Sequence, residues 1–359
     1  MRWFCLELHS SYRCRHAGVC CGAEWRIPAE PEVVRLVTER GLRSADVPTR
    51  VFTHSPEDGE TVVARRADGT CVFFDRDGDR LCAIHRAAGA DALPSACRHF
   101  PREILIDRRG IFVSLSHFCP TAGALLLTPG ALAIVDAEPP LRIDGPLEGL
   151  DASDAYAPLV RPGRLTDLDG YGAWERSAIE TLARPELTAD GAIDLIAAAT
   201  EQIREWHPED GALATRVGEA FAHRAPVPSL SAVSFPDLCA EYFPPASGPV
   251  PEFAVAWDWL VEPALPRLEH AMSNYLAARL FGTWVAYQGR GLRTIVEWLR
   301  TCLAVLKNEM ARRAAAARRP LTDADMVAAA GAADWLLLHT VDSEAIARRL
   351  GAVEGPEPA

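Results

Sequence analysis

The chain has 359 residues, about half of them apolar, with 37 basic residues against 49 acidic ones and a formal net charge of -12. That length buries one or two full cores, and the acidic balance excludes non-specific nucleic-acid binding, which needs a basic face. No stretch reaches about eighteen apolar residues without a charge, and the best, Tyr275 to Tyr287, is broken by Arg279, so no membrane span is expected.

Residues 1–30 read as loop wrapped around cysteines, with Cys5 in a short apolar, strand-like run that belongs in a core. Met1-Arg2-Trp3-Phe4-Cys5-Leu6-Glu7 has no sustained apolar segment of the secretory kind. The expected compartment is therefore the cytoplasm, where structural disulfides are rare. Pro31 to Arg40 is a short helix, with Pro31 in the first turn and Gly41 as its cap. Strand-like runs follow at Arg50–His54, Thr61–Arg65 and Thr70–Phe74, separated by turn residues such as Ala67-Asp68-Gly69. Glu103–Asp107 and Ile111–Ser116 form a hairpin through Arg108-Arg109-Gly110, and Ala131–Val135 makes a last strand.

The stretch 136–170 is rich in Pro, Gly and Asp and marks a boundary. Helices are expected over 171–184, 189–206 and 210–223. An irregular middle is broken by Pro226, Pro228, Pro236, Pro244, Pro245, Pro249 and Pro251. Longer helices close the chain at 254–288 (interrupted at Pro263 and Pro266), 291–318 and 322–350. Ile295, Val296, Leu299, Leu303 and Leu306 recur at helical spacing and define a buried face. Trp257, Trp259, Trp284, Trp298 and Trp335 are core by the simplest reading. The fold class is α+β: a small cysteine-rich metal-binding domain with short strands and hairpins over 1–136, a linker over 137–170, and a mostly α-helical domain over 171–359.

Eight of the ten cysteines fall within the first 119 residues, and seven form a broken series: Cys14, Cys20, Cys21, Cys71, Cys82, Cys97 and Cys119. Soft thiolates gathered in a reducing compartment are ligands for zinc or iron–sulfur centres. Buried apolar cysteines or disulfides are the competing readings, but clustering on loops is not how core residues distribute. Seven thiolates exceed one four-coordinate site. In extended backbone the adjacent Cys20-Cys21 pair points to opposite faces. The pair is thus expected to serve two centres, or to supply one ligand and one packed thiol. Cys239 and Cys302 are isolated and read as core.

Five ordered motifs carry a family likeness: Cys20-Cys21-Gly22-Ala23-Glu24-Trp25-Arg26-Ile27, Gly69-Thr70-Cys71-Val72-Phe73-Phe74-Asp75, Leu81-Cys82-Ala83-Ile84-His85, Ser95-Ala96-Cys97-Arg98-His99-Phe100-Pro101-Arg102 and Ser116-His117-Phe118-Cys119-Pro120. Together, over roughly residues 12–128, they resemble the YkgJ-like cysteine-cluster proteins, a zinc- or iron-chelating domain, and within them the flagellin lysine N-methylase branch best. The segment Glu269 to Phe281 is similar to a helix of the long, methylase-like members. That branch carries a further cysteine between the first one and the pair, and Arg15 to Val19 contains none. The resemblance implies an iron–sulfur (4Fe–4S) or zinc/iron centre and S-adenosylmethionine-dependent methyl transfer to lysines of a protein substrate, flagellin-like or other. The alternative is a non-catalytic zinc- or iron-chelating or metal-centre assembly protein. No glycine-rich dinucleotide turn and no Cys-x-x-x-Cys-x-x-Cys triplet is present, so the residues themselves name no catalytic group and no S-adenosylmethionine site.

Arg98 and Arg102, beside Cys97, are expected either to offset thiolate charge or to form surface ion pairs. His16, His85, His99 and His117 lie within three positions of the cysteines and are read as supporting or exposed groups more than as ligands. Glu24 and Trp25 follow the cysteine pair, with Trp25 as a lid packed on the site. Asp75, Asp77 and Asp79 mark a turn.

Overall fold

The computed structural model describes residues 1–23, 25–42, 50–76, 80–129, 132–139, 141–222 and 233–355. Nine strands are present among them: β1 (Trp3–Leu6), β2 (Phe52–His54), β3 (Thr61–Val63), β4 (Arg102–Asp107), β5 (Gly110–Leu115), β6 (Ile134–Asp136), β7 (Leu150–Asp151), β8 (Leu159–Arg161) and β9 (Arg164–Leu165). Five of them make one mixed sheet in the order β6-β1-β5-β4-β7.

The expected hairpin is there. Asp107 pairs with Gly110, leaving Arg108-Arg109 as a two-residue turn. The first residues are not loop: β1 lies inside the sheet, parallel to β5 and antiparallel to β6. Cys5, on β1, is fully buried. Thr70–Phe74 is not a strand either; only single bridges, Arg65 with Cys71 and Phe74 with Cys82, hold it. Asp68 explains the local turn, because its carboxylate accepts from the Thr70 amide and hydroxyl and so competes with a ladder. The helix Pro31–Arg40 ends as expected on Gly41 at φ 59°.

The helical half follows the expected order: Leu168–Leu182, Ala189–Arg204, Leu213–Ala222, Leu265–Leu280, Leu292–Ala317, Asp323–Asp334 and Ser343–Leu350. A helix over Phe235–Tyr242 interrupts the expected irregular middle, while Pro226 and Pro228 lie outside the described residues. Two segments wind as π-helix, Trp257–Val261 and Trp335–Thr340. Trp259 is 74% exposed, so it is not the core residue that its neighbours suggested. No described helix is long and apolar enough to cross a membrane.

The boundary at 136 divides what the structure joins. Leu6, Leu105 and Phe112 of the sheet pack in one core with Trp174, Tyr275, Phe281 and Leu299 of the helices. The 137–170 stretch is built into the fold: β7 pairs with β4, β8 pairs with β9, and Leu141 and Val160 are fully buried. What separates is a smaller lobe, residues 27–84, with its own core of Ile27, Val37, Val63, Phe73 and Ile84. That lobe and the cysteine loops lean on the sheet–helix body.

Candidate metal centre

Several separate chain segments bring sulfur to one place. Cys20 and Cys21 ride on a single helical turn, Val19–Gly22. Gly18 opens that turn at φ 76°, where a Cβ would stand 2.5 Å from the Phe74 ring, so glycine is required. Adjacent side chains on a helical turn diverge by about 100° rather than lying on opposite faces, and the two sulfurs are 4.0 Å apart. The extended-backbone premise for assigning the pair to two centres therefore fails. Cys82 precedes the helix Ala83–Ala88, Cys97 sits within Ser95–His99, and Cys119 opens Pro120–Leu125.

A cavity of about 510 Å³ is lined by all seven cysteines of the series. All are free thiols. Among the described residues no three Cys, His, Asp or Glu side chains stand close enough to grip a metal ion as placed. The thiols share a cavity, and coordination would have to draw them inward.

Charge coupling divides the seven. After burial, repulsion from Cys20 raises Cys71, Cys82 and Cys97, while Cys21 is raised first by its hydrogen bond with Cys20 and by burial, then by Cys20, Cys71 and Cys82. Cys14 feels Cys119 before Cys20, and the Cys119 sulfur lies 3.8 Å from the Tyr12 hydroxyl. Cys14, Cys119 and Tyr12 thus stand together at one side of the cavity, with Cys14 also feeling Cys20.

Burial pushes the Cys71 and Cys97 thiols up and takes Cys82 to about 11. Cys20 differs, because a hydrogen bond from the Cys21 thiol holds it below the ordinary value and pushes Cys21 up in turn. Buried soft donors that resist ionising together are stabilised as thiolates by a metal cation that replaces their protons. In donor type and enclosure the five residues fit a thiolate-ligated zinc or iron–sulfur group.

The histidines separate by role. The His16 and His85 rings meet at a tilt with centroids 4.9 Å apart, and the exposed Cys14 lies 3.9 Å from His16 Nδ1. His99 is occupied on both ring nitrogens: Nε2 accepts from the Glu148 amide at 3.1 Å, and Nδ1 donates to the Ser95 carbonyl at 2.9 Å. His117 turns away from the thiols. It is fully buried and bonds Asp334 through Nδ1 at 3.0 Å. Its Nε2 is then the acceptor and receives the Nε2–H of His9 at 3.4 Å. Burial lowers both imidazole pKa values, so both rings are neutral. Burial alone would raise the Asp334 carboxyl, but Arg279 and His117 outweigh it and hold it at about 2.

Arg102 is half-buried and bonds the backbone of two segments. Its guanidinium donates to the Leu141 and Arg98 carbonyls, both at 3.0 Å, and its charge faces Cys14. The Arg98 Nε is buried and has no protein partner. Trp25 packs edge-on against Phe100 at 5.0 Å and His339 at 5.2 Å, which makes it the expected lid and also a joint to the π-helical turn. Glu24, Asp77 and Asp79 lie outside the described residues.

Two residues, one beside the thiol loops and one in the cavity wall, escaped the sequence reading. Arg65 bonds the loops that carry the thiols. Glu103 lines the cavity and a second, inner chamber of about 70 Å³ that includes Arg279, Gln288 and Ser343. Burial pushes the Glu103 carboxyl up to about 7, against the pull of Arg279. A signal for Glu103 existed: strand alternation puts it on the same face as the core residue Leu105. Arg65 had none.

No family model, curated protein or solved structure matches this chain.

Proposed function

We propose that the chain is a metalloprotein whose centre is held by Cys20, Cys21, Cys71, Cys82 and Cys97. The single observation that supports this is that these thiols, brought from distant segments, line one cavity. A zinc or cubane group takes four protein ligands, so one of the five stays a hydrogen-bonding thiol. Cys21 suits that part, since its sulfur lies 4.0 Å from that of Cys20, within reach of a thiol hydrogen bond. Cys14 and Cys119 stand as outer thiols of the same cavity.

The cavity continues past the thiols to a wall of Trp25, Phe100, Trp284 and Glu103, which leaves room for an organic ligand beside the metal. Methyl transfer from S-adenosylmethionine to a protein lysine, the activity that the family likeness implies, would use that end. Chelation or delivery of the metal without catalysis is the competing reading.

Anaerobic purification with elemental analysis and visible spectra tests the centre. Wild type should carry bound zinc or iron with sulfide, and Cys71→Ser and Cys97→Ser should each weaken it by at least about tenfold. Cys302→Ser, in the helical core, should keep it. Full metal content in both cavity variants would refute the ligand set. Calorimetric titration of the loaded protein with S-adenosylmethionine then separates methylation, which requires binding, from chelation alone.

A further inference from the structure

Arg65 stands just after β3, and its backbone bridges to Cys71. Its guanidinium donates to the Cys21 carbonyl at 3.3 Å, to Gly69 at 3.2 Å and to Trp25 at 2.5 Å. One planar fork thus ties the segment after the cysteine pair to the turn that leads into Cys71, a geometry that lysine cannot reproduce. All three acceptors are carbonyls, so these bonds leave its positive charge uncompensated. With the guanidinium on the Cys21 carbonyl and the backbone bridged to Cys71, that charge stands beside both thiol-bearing turns. Arg66, next to it, bonds the Cys71 and Phe74 carbonyls.

We propose that Arg65 is the positioning residue and counter-charge of the thiol centre, holding the Cys20–Cys21 turn against the Cys71 turn while offsetting the negative charge of the bound thiolates. This role rests on the metal-centre reading above. Four thiolates around a divalent ion leave an excess of two negative charges in a partly buried cavity, and a fixed cation bonded to the loops that carry them lowers that cost. A backbone-bonded arginine does so without occupying a coordination position.

Anaerobic cobalt(II) titration, read by sulfur-to-cobalt charge-transfer absorption, tests it on wild type, Arg65→Gln and Arg65→Lys, with thermal midpoints recorded alongside. The expected order of affinity is wild type, then Lys, then Gln, with the Gln variant weakened at least about tenfold and its charge-transfer band displaced. If Gln binds cobalt as wild type does, the role of Arg65 falls while the centre stands. If Lys and Gln lose affinity equally and in step with their midpoints, Arg65 is a brace and the counter-charge is refuted. If wild type itself takes up no cobalt, the centre falls and this role with it. Should the Gln variant not fold, Arg65→Lys decides: affinity within about threefold of wild type supports the counter-charge, and a loss beyond about tenfold overturns it.

Discussion

Glu103 sets a pH dependence that can be worked out from its surroundings. In the unfolded chain its carboxyl titrates near the ordinary 4.5, and in the fold burial takes it to about 7. Between those values the unfolded chain has released the proton and the folded one has kept it, so stability falls as pH rises through that window. Below it the group costs nothing, and above it the full penalty remains, at most about 3 kcal/mol. Glu103→Gln removes the penalty. Urea midpoints at pH 5 and pH 8 should therefore show the variant gaining on wild type at the higher pH; an equal difference at both would refute the raised carboxyl. The cysteines were legible at this scale because thiol chemistry is a property of residue type. Arg65 and Glu103 were not read, because an arginine or glutamate acquires its role from what surrounds it.

The helix Asp323–Asp334 and the turn after it join the helical body to the loops around the cysteine cavity. The helix Asp323–Asp334 passes into the π-turn Trp335–Thr340, and together they present Asp334, Trp335 and His339 to the loops. Asp334 accepts from the His117 amide at 2.5 Å and its ring at 3.0 Å, and Arg279 stands 3.7 Å away. His339 Nε2 meets the Ser116 hydroxyl at 2.8 Å. Asp334→Asn strips the buried Arg279 of its counter-charge and should cost about 3–5 kcal/mol in denaturant unfolding; a loss under about 1 kcal/mol would mean that the network does not hold the loops. The helices themselves were readable from apolar periodicity and from caps such as Pro31 and Gly41. The turn that puts Cys20 and Cys21 on one side was not, since four residues hold no period and Gly18 acts through Phe74, far along the chain.

At the scale of the whole molecule, one face of the sheet shares its interior with the helices. Arg109 at the hairpin turn bonds Asp107 at 2.8 Å and Glu175 at 2.9 Å, and Tyr287 closes the group on Asp107 at 2.7 Å. These buried charges pin β4 and β5 to the helices, and Phe112 packs at 5.7 Å against Phe281. A fragment ending at residue 136 leaves that face bare. It should show collapsed amide dispersion in NMR spectra, while the full chain should unfold in one calorimetric transition. A well-dispersed fragment would restore the two-domain division.

Residue identity and local spacing were enough to determine that the N-terminal third gathers thiols, that Glu103–Asp107 and Ile111–Ser116 turn back on each other, and that the C-terminal half is helical. These are short-range matters: soft-donor chemistry, strand alternation, helical period and capping act within a few residues. Tertiary structure alone decided that β1 enters the sheet interior, that 137–170 is woven into the body, and that the seven thiols of the series line one cavity. Such outcomes depend on contacts between residues far apart in the chain, where burial and charge pairing select among arrangements that local patterns leave equally open.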